Sequence, residues 1–166
     1  LGSKGGGSTL TQQLAKMQYN EPARNLVERI GQKLGEWIIA VQLERLYTKD
    51  EIIALYLNQL DFLYQAVGIN SAARVYFNKK PIDLTIEEAA VFVAMAKNPS
   101  LYNPKRYPER TKQRRDQVFV QMVKNGMLTV AEKDSLQQIP LQLEFRPQSH
   151  TAGLAPYFRE YLRGYM

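Results

Sequence analysis

The 166-residue chain contains no cysteine and one histidine, His150. The first absence excludes a disulfide framework, a thiol nucleophile and a Cys-ligated metal, and it suits a reducing or an oxidising compartment equally. The second excludes a Ser-His or Cys-His nucleophilic pair, because His150 sits in a loop flanked by Pro, Ser and Thr with no spacing partner. No other metal-ligand pattern occurs. Long apolar runs are also missing. The longest, near Ala89–Ala96, is too short to span a bilayer. No signal-peptide pattern is read in these residues, and the start, Leu1-Gly-Ser-Lys-Gly-Gly-Gly7, reads as the beginning of a fragment.

What is present describes a globular chain. Apolar content is 45%, charged content 23% and net charge +6, a balance that suits one domain with a core and an anionic partner: phosphate or pyrophosphate, nucleic acid, or an anionic membrane surface. Four Thr-x-x-Glu/Gln boxes, at Thr9, Thr48, Thr85 and Thr129, mark helix starts. They predict helices over 10–19, 49–60, 86–97 and 130–139, the third being the apolar core rod. A charged connection, 21–32, leads into a helix from Lys33 toward Tyr47. A turn at 61–68 precedes a short helix over 69–77, and Pro108 opens a basic helix over 109–125 that Gly126 ends. Leu141-Gln-Leu-Glu-Phe145 alternates apolar and polar residues and reads as one short strand. The fold class is all-α, with at most one short strand.

Glu36 is the residue that asks for an explanation. Ile39, Ala40 and Leu43 follow it at helical spacing, so its carboxylate opens an apolar stripe. Burial there favours the protonated acid unless a cation offsets it, and Lys33 is one turn away. Such an acid can exchange protons near neutral pH; the plain alternative is a helix carboxylate paired with Lys33 and nothing more. Gly5-Gly-Gly-Ser-Thr-Leu-Thr-Gln-Gln-Leu-Ala-Lys16 joins a Gly run to a helix N-terminus, where free amides and the helix dipole can bind an anionic oxygen. It lacks the Gly-Lys-Ser/Thr ending of a P-loop. Gln12 and Gln13 suit hydroxyl and amide recognition, and Lys16, Arg24, Arg29 and Lys33 could converge on a diphosphate. The alternatives are a capped helix behind a tether, and a solvated basic surface. A second basic run, Lys105, Arg106, Arg110, Lys112, Arg114 and Arg115, puts Arg106, Arg110 and Arg114 on one helical face that could touch phosphates or headgroups, or simply face water.

Gly6-Gly-Ser-Thr-Leu-Thr-Gln-Gln-Leu-Ala-Lys16 resembles the second motif of the family 51 peptidoglycan glycosyltransferases. Lys33-x-x-Glu36, Leu43-Glu-Arg45 and the segment Tyr47 to Asn58 resemble the third, and Gly68 to Lys79 the fourth. Leu84 to Ala90, Lys97-Asn-Pro-Ser-Leu-Tyr-Asn-Pro104 and Arg114-Arg115 resemble the fifth. The likeness covers Gly5 to Leu128 in order, and Ala155-Pro-Tyr-Phe158 resembles the linker toward the transpeptidase domain of bifunctional, class A penicillin-binding proteins.

The resemblance implies a lysozyme-like helical domain that polymerises glycan strands from lipid II with loss of lipid pyrophosphate. It implies boundaries of 1–146 for that domain and 147–166 for the linker. By position Glu36 takes the role of the third-motif glutamate on the pyrophosphate side, and Gln12, Gln13, Lys16 and Lys33 fall on substrate-contact positions. Arg24 takes the arginine position between these motifs, with Arg29 as the alternative. The implied cofactor is a divalent cation, Mg or Mn, which sequence alone does not suggest. The implied partners are lipid II, the growing glycan chain, the membrane surface and moenomycin-type inhibitors, with no nucleic acid; the implied place is the outer face of the bacterial cytoplasmic membrane. The family's first motif, with its general-base glutamate, and its membrane-docking apolar segment do not occur in this sequence, and Gln32 stands where an arginine is usual beside Lys33. A lysozyme-like hydrolase, a helical nucleic-acid-binding module and a catalytically dead scaffold are the competing expectations.

Overall fold

The computed structural model describes residues 9–18 and 25–147. Arg24, His150 and the aromatic tail from Thr151 lie outside them. Among the described residues are seven α-helices, and the fold is all-α and lysozyme-like. The chain divides into two compact units, Leu1–Leu60 and Asp61–Met166.

In the first unit, α1 (Leu10–Gln18) packs against both α2 (Leu26–Leu46) and α3 (Lys49–Gln59). The Thr9 box forms as expected: the Thr9 amide donates to Gln12 Oε1 and the Gln12 amide to Thr9 Oγ1, each at 3.2 Å. Thr11, Leu14 and Ala15 face inward, while Gln13 and Lys16 lie outside, one turn apart. Helix α2 begins seven residues before Lys33, so the expected charged connection over 21–32 is largely helix. The Asn25 side chain accepts the Glu28 amide at 2.8 Å and its Nδ2 donates to Glu28 Oε1, a cap of the Thr-x-x-Glu kind built on asparagine.

In the second unit, α4 (Gly68–Phe77) follows a turn in which Leu63, Tyr64 and Gln65 all have positive φ. Three successive left-handed residues other than glycine cost roughly 1–2 kcal/mol each. The turn is tied by Asp61 Oδ1 accepting the Leu63 amide and by Phe62 and Ala66 bonding backbone to backbone. Asn78 in the left-handed region ends α4. After a 3-10 turn at Pro81–Asp83 comes α5 (Ile86–Lys97), whose Ala90, Val91, Phe92, Ala94 and Met95 are buried as expected of a core rod. It packs on α6 (Pro108–Lys124), which packs on α7 (Val130–Gln138). Phe62, Tyr76, Phe77 and Phe92 fill the core edge to face.

Residues 141–147 do not form the expected strand. The Glu144 and Arg146 amides donate to the Tyr76 and Val75 carbonyls at 3.0 and 2.7 Å. The last carbonyls of a helix lack partners within it, and here they take the place of a neighbouring strand. Arg106 precedes α6, so the expected helical face holds Arg110 and Arg114 without it. Arg115 is buried: it donates to Asp116 and to the Ile139 carbonyl and lies over the Phe119 ring, joining α6 to the end of α7.

Candidate active site

Glu36 is 6% exposed, the one buried charged residue among those described in the first unit. Helix α2 delivers it there because Ala40, one turn on, is buried in the same stripe. Lys33 Nζ donates to Glu36 Oε2 at 2.5 Å, while the lysine side chain stays 56% exposed. The expected compensating cation is therefore in place. The ammonium joins a desolvated acid to the surface, where it can reach a second anion.

Helix α1 brings Gln13 and Lys16 on the helix that packs against α2 and α3. Tyr56 Oη on α3 donates to Gln13 Oε1 at 3.4 Å. Burial pushes the Tyr56 hydroxyl pKa up, so the phenol remains a proton donor. Sequence reading gave Tyr56 no role; its place within the third-motif segment was the available signal. Gln12 serves the α1 cap, so its carbonyl oxygen is engaged within the helix end. Lys16 lies exposed in the last turn of α1, where the helix dipole favours a cation.

A groove of about 470 Å³ lies between the start of α1, the end of α2 and the start of α3. Leu10, Ile52, Ile53 and Tyr47 give it apolar walls, and Glu44 and Lys49 carry opposite charges on its lining. None of the sequence-predicted site residues lines it. Among the described residues, hydrogen bonds link Lys33 with Glu36 and Gln13 with Tyr56.

The sequence model of the transglycosylase family matches residues 1–123. The chain belongs to the transglycosylase family. It is 40% identical over 157 residues to penicillin-binding protein 1F of Bacillus subtilis, covering 95% of this chain and 21% of that protein. It is 37% identical over 158 residues to penicillin-binding protein 1A of Escherichia coli, covering 95% and 18%. The crystal structure of penicillin-binding protein 1A from Haemophilus influenzae matches with a TM-score of 0.56 at 25% identity, over 93% of this chain and 19% of that one. The chain spans about a fifth of the length of the curated relatives it matches. This transglycosylase domain has no helix, among its described residues, long and apolar enough to cross a membrane.

No three His, Asp or Glu residues converge among the described residues, and Glu36 is already engaged by Lys33. Among the described residues no set of side chains fits a divalent cation held by protein ligands alone.

Proposed function

We propose that the chain polymerises peptidoglycan glycan strands from lipid II. In this reaction the 4-hydroxyl of one lipid II attacks the anomeric carbon of the growing chain. The new bond joins that carbon to the hydroxyl oxygen, the bond to the lipid pyrophosphate breaks, and the hydroxyl proton passes to a base. The observation that carries the reading is the Lys33–Glu36 pair, a buried acid fixing a cation that is still half exposed. In this scheme Lys33 holds the departing pyrophosphate, and Glu36 fixes and orients its ammonium. Lys16 and Arg24 add charge to the same anion. Gln12 and Gln13 contact substrate, with Tyr56 orienting the Gln13 amide through their hydrogen bond.

The family resemblance assigns the base to a first-motif glutamate, a motif that does not occur in this sequence. Residues 1–146 form the transferase domain in this reading and 147–166 lead to a further domain. The protein works at the outer face of the cytoplasmic membrane and is a target for moenomycin-type inhibitors. Nothing in the comparisons favours the hydrolase, scaffold or nucleic-acid alternatives.

The test is turnover of purified lipid II by the polypeptide that carries this sequence. Contacts made only in the transition state lower turnover more than affinity. Glu36→Gln is expected to slow polymerisation at least about tenfold, roughly 1.4 kcal/mol in barrier. Turnover like that of the parent enzyme would remove Glu36 from the mechanism.

A further inference from the structure

The turn over 61–67 carries Leu63, Tyr64 and Gln65 in the left-handed region, which residues with a Cβ avoid. Backbone strain of this kind persists only where the surroundings over-determine it. Here the surroundings converge on the middle residue. The Tyr64 ring meets Tyr76 of α4 with centroids 6.2 Å apart and Phe145 at 4.9 Å, both edge to face. Asn103, fully buried before α6, donates from Nδ2 to Tyr64 Oη at 3.4 Å. The Lys105 ammonium lies 5.5 Å from the Tyr64 centroid and 4.0 Å from that of Phe145, so one cation covers both rings.

Phe145 is the contact that comes from farthest along the chain, and the segment around it is bound to the same place. Leu141, Leu143 and Phe145 are half-buried, whereas Gln142, Glu144 and Arg146 are exposed. The Glu144 and Arg146 amides donate to the Tyr76 and Val75 carbonyls. Tyr76 thereby serves both sides. Its hydroxyl donates to the Phe62 carbonyl in the turn at 2.6 Å, its own carbonyl holds Glu144, and its ring lies 5.7 Å from Phe145. The turn begins directly after Leu60, the C-cap of α3, and ends at Gly68, where α4 starts. Its conformation therefore sets the path from α3 into α4.

We propose that residues 141–147 are a latch on this turn. Phe145, seated against Tyr64 under the Lys105 ammonium, holds the three left-handed residues in place. Latch and turn open together while α5 stays folded. The inference stands independently of the glycosyltransferase reading.

The test is amide hydrogen exchange, followed by NMR, in the 166-residue chain. Amides that open in one cooperative event share one level of protection. In the parent, Leu63 and Ala66 in the turn are expected to match Glu144 and Arg146 in the latch, all below Phe92 and Met95 in the buried α5. Phe145→Ala removes the nearer of the two rings on Tyr64; it is expected to lower protection about tenfold at all four amides and less than about twofold in α5. Lys105→Gln changes an exposed side chain and guards against loss of fold; it is expected to lower protection about threefold in turn and latch alike. Leu63→Gly/Gln65→Gly removes most of the left-handed cost. In that background Phe145→Ala is expected to loosen Glu144 and Arg146 but to change Ala66 less than about twofold. Three results would overturn the proposal: loosening of the latch without the turn in either single variant, equal loosening of α5, or an Ala66 response in the glycine background as large as in the parent.

Discussion

Replacing Lys33 with methionine keeps the stem that lies along α2 and removes only the ammonium. The Glu36 carboxylate would then be a buried charge without its 2.5 Å partner. Breaking a fully buried pair costs about 3–5 kcal/mol, whereas an exposed pair contributes at most about 1 kcal/mol. The pair here has one buried and one half-exposed member, so solvent screens part of the interaction and Lys33→Met should cost about 2 kcal/mol. Glu36→Gln strands no buried charge and leaves Lys33 free to meet water; it should cost about 0.5–1 kcal/mol, the net value of one hydrogen bond. In the double variant the loss should fall short of the sum by about 1 kcal/mol.

Urea unfolding followed by far-ultraviolet circular dichroism measures all four species, and the helical content of the fold supplies the signal. The asymmetry between the single variants is the signature of a desolvated acid held by a solvated base. If Lys33→Met proves no more costly than Glu36→Gln, or the coupling falls below about 0.3 kcal/mol, the acid is not relying on the lysine. Glu36 as the residue that orients Lys33 would then have no physical basis.

Three further outcomes follow from the second unit. Asn78 closes α4 with φ of 53°, so Asn78→Ala should cost about 1 kcal/mol while Asn78→Gly is close to neutral in urea titration. Burial, and then the neighbouring Tyr64 and Asp61, push the Tyr76 pKa far above the ordinary tyrosine value, and its hydroxyl donates to the Phe62 carbonyl at 2.6 Å. A raised folded pKa contributes stability that is complete below the unfolded pKa of about 10 and is lost as pH rises beyond it. Stability should therefore fall above about pH 10, less steeply in Tyr76→Phe, as alkaline thermal melts would show. Arg115→Met should destabilise by about 3 kcal/mol, since it frees Asp116 and the Ile139 carbonyl together; a change under about 1 kcal/mol would rule out its role in joining α6 to α7.

Much of the helical frame was legible because its starts are written in side chains. Thr48, Thr85 and Thr129 each give a hydroxyl to an orphan amide and receive a carboxylate from the glutamate three residues on, a bond pattern set by local sequence. The start of α2 obeyed the same chemistry with Asn25 and Glu28, and a reading confined to threonine passes over it. The segment 141–147 failed for a different reason. Alternation reports an extended backbone with two unlike faces, but it does not say what receives the amides, and the end of α4 is a partner from about seventy residues away.

The site was legible only where its partners are local. Lys33 and Glu36 are one helical turn apart, so any helix through them permits the contact. Gln13 and Tyr56 lie 43 residues apart, and no periodicity connects them until α1 is packed on α3. Helix α2 shows what a local reading leaves out. Leu26, Val27, Ile30, Leu34, Trp37 and Ile38 are all largely exposed along it, and so apolar positions lie on more than one side of the helix. Hydrophobic pattern alone cannot then say which side turns inward. The charged residue settles it: a carboxylate is driven inward only where a cation and a packed neighbour hold it. A buried Glu36 therefore fixes the inner face of α2 more firmly than any of its aliphatic residues.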